Sequence, residues 1–140
     1  MEKSFYIIKP EAFANRMEIR NKIIINNLKI VSSKIILLPK FIINQIYPNM
    51  NPDLHSATLN FLGCGPSELG VVEGEKAISL LFEIGGKETD PNRCEKGTIR
   101  NTYGDRKGVL WGNAIYFKNA FHRSHNIFEA TRDINLYEKC

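Results

Sequence analysis

Apolar residues fall along this chain in two rhythms. Ser4-Phe5-Tyr6-Ile7-Ile8 is a nearly continuous apolar run that ends at Lys9-Pro10. A strand covered on both faces need not alternate, so the run predicts a buried central strand. Pro10 stops it, because proline offers no N–H to a ladder. From Arg16 to Leu28 the rhythm changes, with Ile19, Ile23 and Leu28 set among Arg20, Asn21, Lys22, Asn26 and Asn27. That spacing predicts an amphipathic helix with a polar outer face. Ile30 to Leu38 is β-branched and apolar and closes at Pro39, which predicts a second strand.

The pattern continues through a short helix over Ile42 to Tyr47 and turn chemistry at Pro48-Asn49-Met50-Asn51-Pro52. Asp53 is the expected cap of a helix through Leu54, Ala57, Leu59 and Leu62, ended by Gly63-Cys64-Gly65-Pro66. A short strand follows over Leu69 to Val72, then a helix over Glu75 to Ile84 stopped by Gly85-Gly86. Residues 85–113 read as one long irregular stretch, of the kind that tends to be functional or mobile. Ala114 to Phe121 predicts another strand. Ile127, Ala130, Ile134 and Tyr137 share one face of a closing helix. The order predicts an α+β fold, a ferredoxin-like βαββαβ sandwich with helices on one face of an antiparallel sheet. Residues 1–140 are expected to form one domain.

Composition changes this picture little. The chain is 43% hydrophobic and 24% charged, ordinary for a globular protein, which excludes a disordered tail or a coiled coil. Its net charge of +4 fits a protein that handles phosphates but is too small an excess to imply nucleic-acid binding. No apolar run approaches the ~20 residues of a membrane-spanning helix. Met1-Glu2-Lys3-Ser4 leads straight into a strand rather than a signal peptide. The three cysteines, Cys64, Cys94 and Cys140, form no CxxC pair. Together these predict a reduced, cytoplasmic protein.

Candidate chemistry is more telling. The chain has neither GxxxxGK[ST] nor GxGxxG, so a P-loop or dinucleotide-binding enzyme is not expected. His122 and His125 lie three apart with no third metal ligand at a recognisable spacing. Most cations of the long loop read as solvated. Gly97-Thr98-Ile99-Arg100 differs: an arginine set by a local turn beside a histidine suits a phosphate.

Four segments in order carry a resemblance. Tyr6-Ile7-Ile8-Lys9-Pro10-Glu11-Ala12 resembles the first-strand signature of nucleoside diphosphate kinases. Glu88-Thr89-Asp90-Pro91 and Gly97-Thr98-Ile99-Arg100 resemble their phosphate-binding loop. Asn119-Ala120-Phe121-His122-Arg123-Ser124 resembles their active-site histidine motif, and Arg132-Asp133-Ile134 their following basic-acidic-apolar triplet. The resemblance implies phosphoryl transfer from a nucleoside triphosphate to a nucleoside diphosphate through a phosphohistidine, with Mg²⁺ held mainly by the nucleotide phosphates. It casts His122 as nucleophile and Lys9, Thr89 and Arg100 as phosphate ligands. Asn119 would meet the ribose, and Tyr47 would stand near the histidine. Ser124 and Asp133 would supply the supporting hydroxyl and the carboxylate that orients the imidazole. It also implies a homo-oligomer, whether hexamer, tetramer or dimer.

The chain departs from the family's pattern at identifiable points. Arg123 follows the histidine where the family keeps a small residue; it either crowds the nucleotide or adds a phosphate contact. The family's arginine in the helix before Glu-Thr-Asp-Pro falls here at Phe82 or Glu83. The residue facing the base falls at Leu54 or His55. The segment between Arg100 and Asn119 is lengthened and includes Trp111, which either packs the insert down or makes a subunit contact. The last helix is followed by only a few residues, where many relatives carry a tail. The alternative function is therefore a catalytically weakened nucleotide-binding or scaffold protein of the same fold.

Overall fold

The computed structural model describes all 140 residues, Met1–Cys140. Strand β1 (Glu2–Ile8) is followed by a 3₁₀ turn at Pro10–Asn15, helix α1 (Arg16–Ile25) and strand β2 (Lys29–Leu37). Helices α2 (Lys40–Ile46) and α3 (Pro52–Leu62) lead to strand β3 (Pro66–Gly74) and helix α4 (Ala77–Gly85). A 3₁₀ turn at Pro91–Arg93 precedes the short helix α5 (Ile99–Tyr103) and strands β4 (Val109–Trp111), β5 (Ala114–Tyr116) and β6 (Phe121–Arg123). Helix α6 (Ile127–Glu138) closes the chain.

The main sheet has the order β2-β3-β1-β6, and every neighbouring pair is antiparallel. This is the expected βαββαβ topology. Helices cover both faces, however, and not one. Tyr6 and Ile8 of β1 point into a core with Ile19 and Ile23 of α1 and Leu81 of α4. Phe5 and Ile7 point the other way, against Ile42, Ile43 and Ile46 of α2 and Leu136 and Tyr137 of α6. Phe5 to Ile8 are all fully buried, which is why the run shows no alternation. Each such side chain contributes roughly 2 kcal/mol through burial.

Element ends differ from the expected ones for local reasons. Helix α1 stops at Ile25 rather than Leu28, because Asn27 takes a left-handed conformation, φ 67°, and Leu28 turns into the core. Asn51, not Asp53, caps α3; its Oδ1 accepts from the Asp53 and Leu54 amides. Helix α4 begins at Ala77, after Lys76 at φ 52°, and the Glu2 carboxylate accepts from the Ile78 amide at 2.8 Å. Strand β3 is nine residues long rather than four.

The stretch 85–113 is more structured than expected. Thr98 caps α5, its Oγ1 accepting from the Asn101 amide. The single strand expected over Ala114 to Phe121 is two strands. Strand β5 pairs with β4 in a separate hairpin, and β6 joins the main sheet beside β1. Ala120, at φ 76°, makes the break between them. Trp111 packs the hairpin onto α3: its ring meets Phe61 edge-on at 5.3 Å, and its Nε1 donates to Ser56 Oγ at 3.2 Å. Asp53 Oδ2 accepts from the Asn113 amide, so the expected cap residue instead ties down the hairpin.

Candidate active site

Strand β6 is a sheet edge, paired only with β1, so side chains leaving either of its faces reach the space beyond it. A cavity of about 490 Å³ lies there. Lys9, Tyr47, Thr89, Arg100, Asn119 and His122 all line it. Ser124 and Asp133, both fully buried, stand behind His122. Segments more than 100 residues apart in sequence thus meet around one imidazole.

The Lys9-Pro10-Glu11 turn holds the loop before β6. The Lys9 amide donates to Ala120 O at 2.9 Å, and Glu11 Oε2 accepts from the Ala120 amide at 3.0 Å. Two hydrogen bonds therefore fix an alanine in a left-handed conformation that side chains rarely adopt. Lys9 Nζ donates to Asn119 Oδ1 at 2.8 Å, and Asn119 Nδ2 donates to Thr89 O at 3.1 Å. The Asn119 amide thereby links β1 to the loop carrying Thr89.

Asp133 gathers three donors. His122 Nε2 lies 3.1 Å from Oδ2, Ser124 Oγ donates to Oδ2 at 2.9 Å, and Arg132 Nε donates to Oδ1 at 2.9 Å. Burial works to raise the Asp133 pKa, but the contacts with His122, Arg132 and Ser124 outweigh it and hold the carboxyl below its usual range. An ionised carboxylate only accepts, so Nε2 carries the ring proton and Nδ1 keeps its lone pair. Nδ1 has no hydrogen-bond partner. Burial, reinforced by the charges of Lys9 and Arg123 and opposed by Asp133, lowers the His122 pKa to about 4. The imidazole is therefore neutral at pH 7 by a wider margin than an unperturbed histidine.

Three cations share this space. Lys9, Arg100 and Arg123 are 5%, 6% and 2% exposed, and none forms a salt bridge. Arg100 Nε donates to Phe121 O and Nη1 to Glu88 O, both at 2.9 Å. Burial lowers the Lys9 pKa to about 7, with Glu11 opposing and Arg100 and Arg123 adding to the effect. The Tyr47 hydroxyl is buried without a partner, and its ring meets His122 edge-on at 5.2 Å. Unpaired buried cations and an orphaned hydroxyl are costly unless a ligand satisfies them, by several kcal/mol per ion. A polyanion is the ligand that does so.

A family model described as nucleoside diphosphate kinase matches residues 2–139. The chain belongs to the nucleoside diphosphate kinase family. It is a phosphotransferase of that family, with nucleoside diphosphate kinase function. It is 33% identical to the nucleoside diphosphate kinase of Thermococcus kodakarensis over 142 residues, covering 99% of this chain and 78% of the relative. Its fold matches the nucleoside diphosphate kinase of Encephalitozoon cuniculi with a TM-score of 0.84 at 25% identity, covering 98% and 88% of the two chains. The Halobacterium salinarum enzyme, solved in complex with CDP, matches with a TM-score of 0.82 at 24% identity, covering 97% and 86%.

The structure places the residues at the positions the sequence left open. Leu54 lines the cavity, whereas His55 turns away and pairs with Asn44 Oδ1 at 2.6 Å. Ile115, Tyr116 and Phe117 form a wall that the sequence did not single out, because it exists only once the inserted hairpin folds back. Of the two candidate histidines for a metal pair, His122 contacts Asp133 and His125 contacts Glu129. Arg123 does not lie across the imidazole. Its guanidinium rests 4.2 Å above the Phe82 ring of α4.

Proposed function

We propose that the whole chain, residues 1–140, acts as one catalytic unit in which His122 Nδ1 is the nucleophile. The observation that carries this is a neutral imidazole with one free nitrogen, facing a cavity ringed by unpaired buried cations. Nδ1 attacks the γ-phosphorus of a nucleoside triphosphate. The bond from that phosphorus to the β–γ bridging oxygen breaks, and the nucleoside diphosphate leaves with the electron pair. An oxygen of the next diphosphate's terminal phosphate then attacks the phosphohistidine and releases the imidazole. Asp133 and Ser124 are positioning residues that keep the proton on Nε2. Lys9, Thr89 and Arg100 hold the phosphates, and Tyr47 offers its free hydroxyl to them. Asn119, held by Lys9, stands where the ribose hydroxyl would be met. The base lies between Leu54 and the Ile115–Phe117 wall by apolar contact, which favours broad nucleotide use.

Mg²⁺ fits this site as a passenger of the nucleotide. No cluster of three or more His, Cys, Asp or Glu side chains is placed together, and Glu129 is the one carboxylate lining the cavity. Phosphate oxygens would supply the hard ligands that Mg²⁺ prefers, and the ion would contribute charge neutralisation. No helix is long and apolar enough to cross a membrane, in keeping with a proposed cytoplasmic site of action. A homo-oligomer, as hexamer, tetramer or dimer, is supported by the exposed apolar edge strand β2.

The test is to incubate the protein with Mg²⁺ and γ-labelled ATP. The expected result is an acid-labile, alkali-stable label on the protein that moves to added GDP and is absent from His122→Ala. A His122→Ala protein that still exchanges phosphate overturns the assignment. Thermal stabilisation by ATP without any phosphoprotein would point instead to the weakened binding protein.

A further inference from the structure

Arg123 sits in a slot made for it. Its Nε donates to Gly86 O at 2.9 Å and its Nη2 reaches Lys87 O at 3.4 Å. The guanidinium stacks on Phe82, a favourable cation–π arrangement. A Cβ on Gly85 would come within 3.1 Å of the Arg123 Cδ and 2.9 Å of the Phe121 ring, so the missing side chain there is what admits the arginine stem. These contacts use only part of the planar fork. Nη1 has no partner in the protein, and the residue lines the cavity beside Lys9, Arg100 and His122. A guanidinium that only packed α4 against β6 would be expected to meet a carboxylate, and this one meets none.

We propose that Arg123 is a phosphate-binding catalytic residue, donating through its free Nη1 to the terminal phosphate oxygens of the bound nucleotide. It would supply from strand β6 the charge that related chains supply from the helix preceding the Glu-Thr-Asp-Pro segment. Helix α4 carries Phe82 and Glu83 at that place, and Phe82 has become the platform for the displaced cation. Adjacent to the nucleophile in sequence but leaving the opposite face of β6, Arg123 approaches the phosphates from the α4 side while His122 approaches from the α6 side. The proposal rests on the phosphotransfer reading of His122 and deepens it.

The two readings separate in one set of measurements on the full chain. For Arg123→Met, kcat/KM for ATP-to-GDP exchange should fall about a hundredfold, mostly in kcat, as when a donor to developing charge is removed. Without ligand, its melting temperature should hold or rise, since a buried unpaired cation is gone. The shift of melting temperature produced by ADP should shrink, while any shift produced by adenosine should not change. Arg123→Lys should recover part of the activity. A purely structural role gives the reverse: a lower melting temperature without ligand and an intact ADP shift. That result, or wild-type exchange by Arg123→Met, overturns the proposal. Should Arg123→Met fail to fold, ¹⁵N-arginine spectra of the wild type decide. The Nε resonance absent from Arg123→Lys must move with ADP and stay still with adenosine; a resonance unmoved by ADP overturns the proposal. If the wild type forms no phosphohistidine yet Arg123→Met loses its ADP shift, the nucleophile assignment fails and Arg123 as a phosphate ligand stands.

Discussion

Burial, with Arg100 and Arg123 adding to it and Glu11 opposing, brings the Lys9 pKa down to about 7, while its Nζ donates to Asn119 Oδ1. At about pH 8 most of the free protein therefore carries a neutral amine there. Phosphate oxygens placed beside it favour the ammonium and raise the pKa again. Binding of ADP at that pH should accordingly take up nearly one proton per site, whereas at about pH 5.5, where Lys9 is already charged and the terminal phosphate of ADP is itself partly protonated, the uptake should vanish or turn into release. Calorimetric titration in two buffers of different ionisation enthalpy measures this uptake directly. Lys9→Met should abolish it. Buffer-independent heats at the higher pH would show that Lys9 is charged before the nucleotide arrives. At this scale the grouping of the candidate residues was legible in the sequence. All six residues expected to face the substrate line one cavity, with Ser124 and Asp133 behind the histidine. What sequence could not decide was direction: whether Arg123 crowds the nucleotide or serves it depends on Gly85 and Phe82, which meet it only in the fold.

Elements were legible where one physical demand dominated. The run Phe5 to Ile8 demanded cover on both faces and has it, which also shows why helices on a single face could not suffice. The stretch 85–113 carried no periodic signal because its elements are too short to repeat one. Helix α5 has five residues, held by a Thr98 cap, and β4 has three. The break before β6 was hidden because it falls at an alanine, held left-handed by Glu11 and Lys9 rather than by its own chemistry. The inserted hairpin makes its own prediction. Trp111 and Tyr116 both pack on Phe61, the latter stacked at 5.2 Å, so the wall formed by Ile115 to Phe117 depends on this aromatic cluster. On the proposed binding mode, in which the wall meets the base and not the phosphate, Trp111→Ala should raise KM for nucleoside diphosphates several-fold while leaving kcat nearly unchanged. It should also lower stability by about 1–2 kcal/mol, the residue being only partly buried. Steady-state kinetics and thermal melts check both. A fall in kcat equal to the rise in KM would mean that the hairpin also positions the phosphates.

At the scale of the whole molecule, one edge of the sheet is unfinished. Strand β2 pairs only with β3 and offers nine residues of open ladder. Ile35 and Leu37 on it are 51% and 67% exposed. Ile24 and Ile25 at the end of α1 are also exposed, on the element that leads into β2. A long apolar edge strand left open in water invites pairing with another chain. Lys29 and Lys34 are the charged side chains on the strand, too few to blunt it. A second copy of the chain, meeting this edge with the same edge about a two-fold axis, would cover the apolar residues of both. The cavity lies at the opposite edge, beyond β6, so such pairing leaves the active site open. Ile35→Lys combined with Leu37→Glu should therefore reduce the assembly to a smaller species by light scattering. It should also lower the melting temperature and abolish the dependence of that temperature on protein concentration expected of an assembling parent. Activity per chain should survive in the cold, because no residue lining the cavity is changed. An unchanged mass would place the contact elsewhere, and the exposed Ile127 and Phe128 at the start of α6 would be the next surface to alter.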